Sequence, residues 1–475
     1  MKQARSVLPV VLSVCVLGCG GCRSVGPNYQ GPPPGSIVHA PAAQGPFIGA
    51  SGTEFAQQPV PNDWWRLYDS ALLDQLVLEA MAANADLRAA QANLERSAAL
   101  LDQARAQRQP TASVNLDPSY QQLSAAGYLH SGTLPPTGLY DTGLSVSYEI
   151  DLFGRLRRVI EAAKADDEAI KAAYDLTQID VAAETARAYA AVCNTGEQLA
   201  VARRSLQLQL QSADVTKRLQ EAGRAPMLDV TRSSGLAAQL KAAIPSLEAQ
   251  RRSALFRLAA LTGRPPSDYP RSVESCVEAP RLRQPIPVGN GMGLLARRPD
   301  VREAERKLAA DTARIGIATA ELYPRVTLGM SAGSTGALTE AFTTPTNRYG
   351  MGLGIHWQAN QSITRAQIAA VGATARGTLA RFDSVVLTAL RDTESALATY
   401  DRDGQRDDDL ANAQARAREA EQEAQQLYTG GKIDFLSLLD TQRSMAAADA
   451  ALAASHAQLA SDQIAIFLAL GGGWE

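Results

Sequence analysis

Four histidines, at 39, 130, 356 and 456, and five cysteines, at 15, 19, 22, 193 and 276, are the side chains best able to ligate a metal or attack a substrate. Their spacing supports neither role: there is no Ser-His-Asp or metal-ligand cluster at local spacing, and no disulfide framework is legible. Cys193 and Cys276 read as lone helix-packing or linker residues. His356, on the polar side of a strand pattern, reads as a lining residue, and Asp407-Asp408-Asp409 as a solvated helix face. No enzymatic activity, metal or cofactor is expected. The 46 basic and 49 acidic residues leave a net charge of −3, with no nucleic-acid footprint.

The one setting that points to covalent chemistry is at the start of the chain. Lys2 and Arg5 precede an apolar run from Val7 to Gly18, which reads as a signal-peptide hydrophobic region too short to cross a bilayer. The order Val16-Leu17-Gly18-Cys19 matches a bacterial lipobox, whose cysteine is acylated and becomes the first mature residue. Cys22 is the alternative. Gly20, where an aspartate would retain a lipoprotein at the inner membrane, implies sorting to the outer membrane. One acylated cysteine makes a tether and not a span.

The elements that would extend from this tether are written twice. Asp86-Leu87-Arg88 stands before Pro110 as Asp300-Val301-Arg302 stands before Pro324; Leu144–Tyr148 aligns with Leu353–Trp357; Gly223, Leu228 and Val230 align with Gly431, Leu436 and Leu438. A tandem duplication follows. The sequence divides into a signal peptide (1–18), an acylated strap rich in proline and glycine (19–62), a first repeat (63–272), a linker (273–296) and a second repeat (297–475). The strap composition argues against helix or central strand, and an extended course is expected.

Each repeat reads as helix, two strands, very long helix, break and return helix. The strands are expected near 111–121, 140–151, 325–333 and 348–358, all with period-two alternation between apolar and small polar residues. A strand of about ten residues can cross a bilayer when tilted, but the same pattern also suits a soluble four-stranded sheet. The small polar second face and the tyrosines and Trp357 near strand ends favour the membrane. Four strands cannot close there, so other copies of the chain must complete the wall. Long helices are expected at 155–222 and 364–428, each approaching roughly 100 Å, with return helices at 228–262 and 435–469. Pro245 is expected to kink the first return helix. Alanines such as Ala162, Ala165 and Ala169 suit close lateral helix packing.

With these residues in view, the chain resembles the TolC-type outer-membrane factors, in the lipoprotein branch represented by OprM. The motifs that carry the resemblance are Val25-Gly26-Pro27-Asn28-Tyr29, Ser147–Arg155, Leu295–Val301, Leu439-Asp440-Thr441-Gln442-Arg443 and Ala469–Trp474. The resemblance implies a mixed α and transmembrane-β fold. Four strands per protomer would enter a homotrimeric twelve-stranded barrel above a long periplasmic α-helical barrel. It implies partners as well: a periplasmic adaptor and an inner-membrane pump, in a tripartite efflux system exporting small toxic compounds or drugs. The rival readings are an exit duct for type I protein secretion and a helical scaffold lipoprotein without a pore.

The resemblance also assigns roles to positions. Gly223, Arg224, Gly431 and Lys432 lie at hairpin tips that would dock the adaptor. Asp440 falls on a constriction aspartate, and Ser437 stands where the family has a second, giving a sparser acidic ring. Asp229 and Tyr428 fall on positions that hold the closed state; the basic partner of that lock falls on Ile433, leaving Lys432 or Arg224 to substitute. A Pro-x-Phe-x-x-Gly-like hinge after the last strand is replaced by Trp357–Ile363.

Overall fold

The computed structural model describes residues 24–128, 131–282 and 284–472. Cys19, Cys22, His130 and Trp474 lie outside the described residues. In chain order the principal elements are β1 (Phe55–Ala56), α1 (Ala71–Ala83), α2 (Ala85–Ala106), β2 (Thr111–Gln121), β3 (Thr137–Ile150), α3 (Arg155–Glu221) and α4 (Met227–Leu261). The second half continues with β4 (Ile286–Pro287), α5 (Gly291–Arg297), α6 (Pro299–Ala320), β5 (Arg325–Ala337), β6 (Asn347–His356), α7 (Ser362–Thr429) and α8 (Phe435–Ala469). These form two compact units: one of residues 24–32, 94–170 and 304–382, the other of residues 33–93, 171–303 and 383–472. None of the described helices is long and apolar enough to cross a membrane.

The first unit is built on an antiparallel sheet of order β2-β3-β5-β6. Its register sorts the residues by face. Ala112, Val146, Met330 and Met351 pair across one row, and Val114, Leu144, Ala332 and Tyr349 across the next. The intervening row is Ser113, Ser145, Ser331 and Gly350. One face is therefore apolar and the other small and polar, because side chains alternate along each strand. The polar face has its own contacts: Ser113 and Ser145 hydroxyls lie 2.8 Å apart, and Arg348 pairs with Asp141. Pro118 sits on β2, an edge strand of this sheet, the place where a sheet tolerates proline.

Beside this sheet the strap is held by a buried guanidinium. Arg158 of α3 is only 2% exposed. It donates to the carbonyls of Val25 (3.1 Å) and Gly26 (3.2 Å) and to Asn28 Oδ1 (2.6 Å), and pairs with Glu161 at 2.7 Å. Gly26 has φ +83°, and a Cβ there would stand 2.5 Å from Gly316 Cα, so glycine alone fits this close approach. Tyr29 then donates to Glu305 at 2.6 Å. Burial, reinforced by that hydrogen bond, pushes its hydroxyl well above the ordinary phenol range. The strap motif is thus a sequence of fastenings onto α3 and α6.

The core of the second unit gathers Trp64, Trp65, Leu76, Val192, Leu258, Ile286, Leu294, Ile464 and Phe467. Trp64 stacks on Phe467 with centroids 4.7 Å apart. The strap is not uniformly extended: Pro41–Gln44 makes a helical turn with proline at its start, where no N–H is needed, and Phe55–Ala56 pairs in parallel with Ile286–Pro287. The single helix expected before each strand pair is two helices. Asn84 ends α1 and caps α2, its Oδ1 accepting from the N–H of Asp86 (2.8 Å) and Leu87 (3.2 Å) while Nδ2 donates to Leu261 O. At the matching joint of the second repeat, Arg298 separates α5 from α6 and donates to Ala469 O at 2.6 Å. Pro245 lies inside α4 without ending it.

One expectation is overturned here. Cys193 and Cys276 are not lone residues; they form a disulfide across a separation of 83 residues. It ties the linker to α3, and Gly196 makes room, since a Cβ there would meet Cys276 O at 2.2 Å. Arg251 clamps the same linker by donating to Glu274 O and Cys276 O. Spacing alone gave no sign of the pair because its partners belong to different elements.

Cys193 and Cys276 are therefore expected to resist alkylation until the protein is reduced. Replacing both with serine is expected to lower stability by about 2–4 kcal/mol, read as the midpoint of helical unfolding in detergent. Alkylation of both thiols without reductant would contradict the pairing.

Candidate functional site

The two helical breaks end in the same backbone device. At the first, the Gly223 N–H reaches Gln220 O at 2.9 Å and the Arg224 N–H reaches Leu219 O at 2.8 Å; at the second, Gly431 reaches Tyr428 O at 2.9 Å and Lys432 reaches Leu427 O at 2.8 Å. Both are Schellman closures, which need a left-handed residue after the helix. Gly223 and Gly431 supply it with φ of +72° and +71°. The geometry leaves Arg224 and Lys432 exposed at neighbouring positions of equivalent turns. Neither has an ion-pair partner among the described residues.

After the turn the two copies differ. Asp434 caps α8 by accepting from the Ser437 N–H at 2.9 Å. The hydrogen bonds from Ser437 hold the Asp434 carboxyl below the ordinary carboxylate range. In the first copy that position is Pro226, which offers no side-chain cap, and the acid moves inward to Asp229 in the first turn of α4. There a carboxylate favours the positive end of the helix dipole. Ser437 thus serves the cap, while Asp440, one turn on, is exposed and lies 3.7 Å from Arg443.

Asp229 and Tyr428 come within electrostatic reach. Burial pushes the Tyr428 hydroxyl up, and the Asp229 charge adds to the effect. No hydrogen bond joins the two among the described contacts. The Tyr428 ring packs edge-on to Phe435 with centroids 5.8 Å apart, against the cluster of Leu236, Phe435 and Leu439. Lys432 and Arg224 do not join them as a basic third member.

Higher on the same helices a cavity of about 530 Å³ opens between α3, α4, α7 and α8. Gln442 of α8 bridges to Ser212 of α3 at 3.1 Å on its wall. His456 borders it, with Nδ1 2.8 Å from Glu197 and Nε2 3.9 Å from Asp407. Asp407 is therefore not part of a solvated face: it turns inward, and its Oδ1 is buried without a hydrogen bond. His356 ends β6 opposite Arg325. Among the described residues, no group of histidine, cysteine and acidic side chains is arranged to hold a metal ion. At the strand-to-helix hinge, Trp357 Nε1 and Gln361 Nε2 both donate to Leu322 O, at 3.1 and 3.2 Å, and Asn360 Oδ1 accepts from the Ser362 N–H and hydroxyl. A polar clasp stands where the Pro-x-Phe-x-x-Gly-like stretch would be.

The contacts missed from sequence were the Arg158 clasp, the His456 pairing and the disulfide. Only the first had a local signal, the Val25–Tyr29 motif.

Comparison with known proteins agrees with this architecture. The family described as outer membrane efflux protein matches residues 76–264 and 293–472. The pyoverdine export outer membrane protein OpmQ of Pseudomonas putida is 31% identical over 100% of this chain and 99% of its own length. The probable outer membrane lipoprotein SilC of Salmonella typhimurium is 27% identical over 96% of each. Among solved structures, the outer-membrane channel OprN superposes with a TM-score of 0.88 at 32% identity, covering 95% of this chain and 99% of that one.

Replacing Gly223 and Gly431 by alanine forces a left-handed alanine at each turn and is expected to cost roughly 1–2 kcal/mol per site. Faster cleavage at 220–226 and 428–434 in limited proteolysis is the readout; unchanged cleavage would mean that the turns do not depend on glycine.

Proposed function

The chain belongs to the outer membrane efflux protein family, and from that premise we propose that three copies, each acylated at Cys19, build the exit duct of a tripartite efflux system for small toxic compounds. The family assignment makes it an outer-membrane channel of an efflux pump, with no catalytic step of its own. The observation that carries the rest is the four-stranded sheet with one apolar face, one small polar face and two unpaired edges. Three such sheets would close a wall whose apolar side meets lipid and whose polar side meets solute.

Within that duct, the hairpin tips are the narrow end. Asp440 would contribute one carboxylate per protomer to a ring that favours cations and hinders anions, with Ser437 spent on the Asp434 cap. Asp229 and Tyr428 would hold neighbouring hairpins closed, the role supported by the electrostatic proximity of Asp229 to the Tyr428 hydroxyl. Arg224 and Lys432, exposed on rigid turns, would meet the periplasmic adaptor, which links the duct to an inner-membrane pump. The lipid at Cys19 is supported by the lipobox and by the relative named as a lipoprotein; the mass of the mature N-terminus distinguishes it from Cys22.

Small solutes are favoured over secreted proteins because OpmQ is named for pyoverdine export. The pump upstream would select the cargo.

Asp229→Ala combined with Tyr428→Phe is expected to raise single-channel conductance in a planar bilayer several-fold; conductance equal to that of the unaltered protein would remove both residues from the gate. Reversing charge at Arg224 and Lys432 together is expected to abolish cross-linking to the adaptor and to lower efflux by at least tenfold. Intact cross-linking and efflux would place docking elsewhere.

A further inference from the structure

The duplication makes the two helical hairpins near-equivalent in backbone, so differences between their seams stand out. At an offset of 208 residues, Tyr400, Asp403, Asp407, Asp462 and Gln463 of the second hairpin correspond to Val192, Thr195, Leu199, Ala254 and Leu255 of the first. The first set is dominated by buried apolar groups, with Val192, Leu199 and Leu255 all in the core. The second carries three carboxylates, an amide and a phenol at the same places.

Asp462 is 6% exposed. Its Oδ1 accepts from Gln458 at 2.8 Å, while Oδ2 is buried with no hydrogen-bond donor. The neighbouring Gln463 donates to the Tyr400 hydroxyl at 3.2 Å and leaves its own Oε1 without a donor. These buried acceptors share one need, a proton donor, and among the described residues neither Asp403 nor Asp462 has an ion-pair partner; the charged groups nearby include Asp403 and Asp407 from α7, His456 from α8, Glu197 from α3 and Arg281 from the linker. Arg281, Glu197 and His456 line a separate small cavity beside Gln463, and His456 is engaged with Glu197. Tyr68, within electrostatic reach of Tyr400, has its hydroxyl buried without a hydrogen-bond partner. Asp403 reaches Asp462 as a hydrogen-bonding neighbour, and two carboxylates in such contact, one of them buried, cannot both stay ionised without large cost.

We propose that Asp403 and Asp462 share one proton across the buried seam of α7 and α8, making the second hairpin, and not the first, a joint that tightens in acid.

The proton sits as a hydrogen bond from one carboxyl to the other and leaves to bulk water when the seam opens. Burial first, then the hydrogen bond and charge of Asp403, push the Asp462 carboxyl from the ordinary 3.8 up to about 6. The closed seam therefore binds the proton more tightly than the open one. Its extra stability is complete below about pH 4, falls as pH rises toward 6, and is absent above that, where the ionised pair repels.

The test is hydrogen–deuterium exchange of the full chain in detergent at pH 5.0 and 7.5, with rates corrected for intrinsic exchange. Segments 396–407 and 458–466 are expected to be about tenfold more protected at pH 5.0, while the matched segments 188–199 and 250–258 do not change. Asp462→Asn, which keeps a donor in place at every pH, is expected to be protected at both. Asp403→Asn is expected to shrink the pH effect and serves as the test should the first variant not fold. His456→Gln is expected to retain the full effect. An equal change in both hairpins, a pH effect that persists in Asp462→Asn and Asp403→Asn, or its loss in His456→Gln would overturn the proposal.

Discussion

Backbone groups at the rims of a sheet must find partners when no water is available to them, and the rest of this protein is arranged around that requirement. β2 and β6 are the edges of the sheet, and each leaves backbone N–H and C=O groups along one side without a strand partner. In water such edges invite uncontrolled pairing; in hydrocarbon they cost several kcal/mol per group. Val114, Leu116, Leu353 and Ile355, between 66% and 77% exposed on these same strands, point to lipid as the surrounding medium. The apolar face is stable only there, and the edges are stable there only when other strands cover them.

The helices extend the same economy. α3 and α7 are too long for their narrow apolar stripes to form an ordinary globular core, and alanine-rich faces such as Ala162, Ala165 and Ala169 are buried by close approach. The Asn84–Leu261 and Arg298–Ala469 contacts fix the shorter helices at equivalent joints in the two copies. The disulfide and Arg251 hold the linker between the repeats. An oxidising compartment suits such a bond, in agreement with a body that lies outside the cytoplasm.

Much of this could be read from sequence because the informative signals were local. Period-two alternation placed the four strands, and Gly223 and Gly431 marked the helix ends because only a left-handed residue closes a Schellman turn. The break at Asn84 was hidden inside an alanine-rich run that scores as helix throughout, although Asn84-Ala85-Asp86 is itself a capping signal. The Cys193–Cys276 pairing and the inward turn of Asp407 were not legible, since each depends on which faces of distant elements meet. The hinge at Trp357–Ile363 shows the opposite case: a missing motif was visible, but its replacement by donors to Leu322 O emerges only in three dimensions.

Native mass spectrometry of the protein extracted intact from the outer membrane addresses the requirement for completed edges most directly. Release of a complex of three chains, with no smaller species retaining β-structure, is the result expected. A monomer that keeps its four strands in detergent and conducts ions when reconstituted would contradict it.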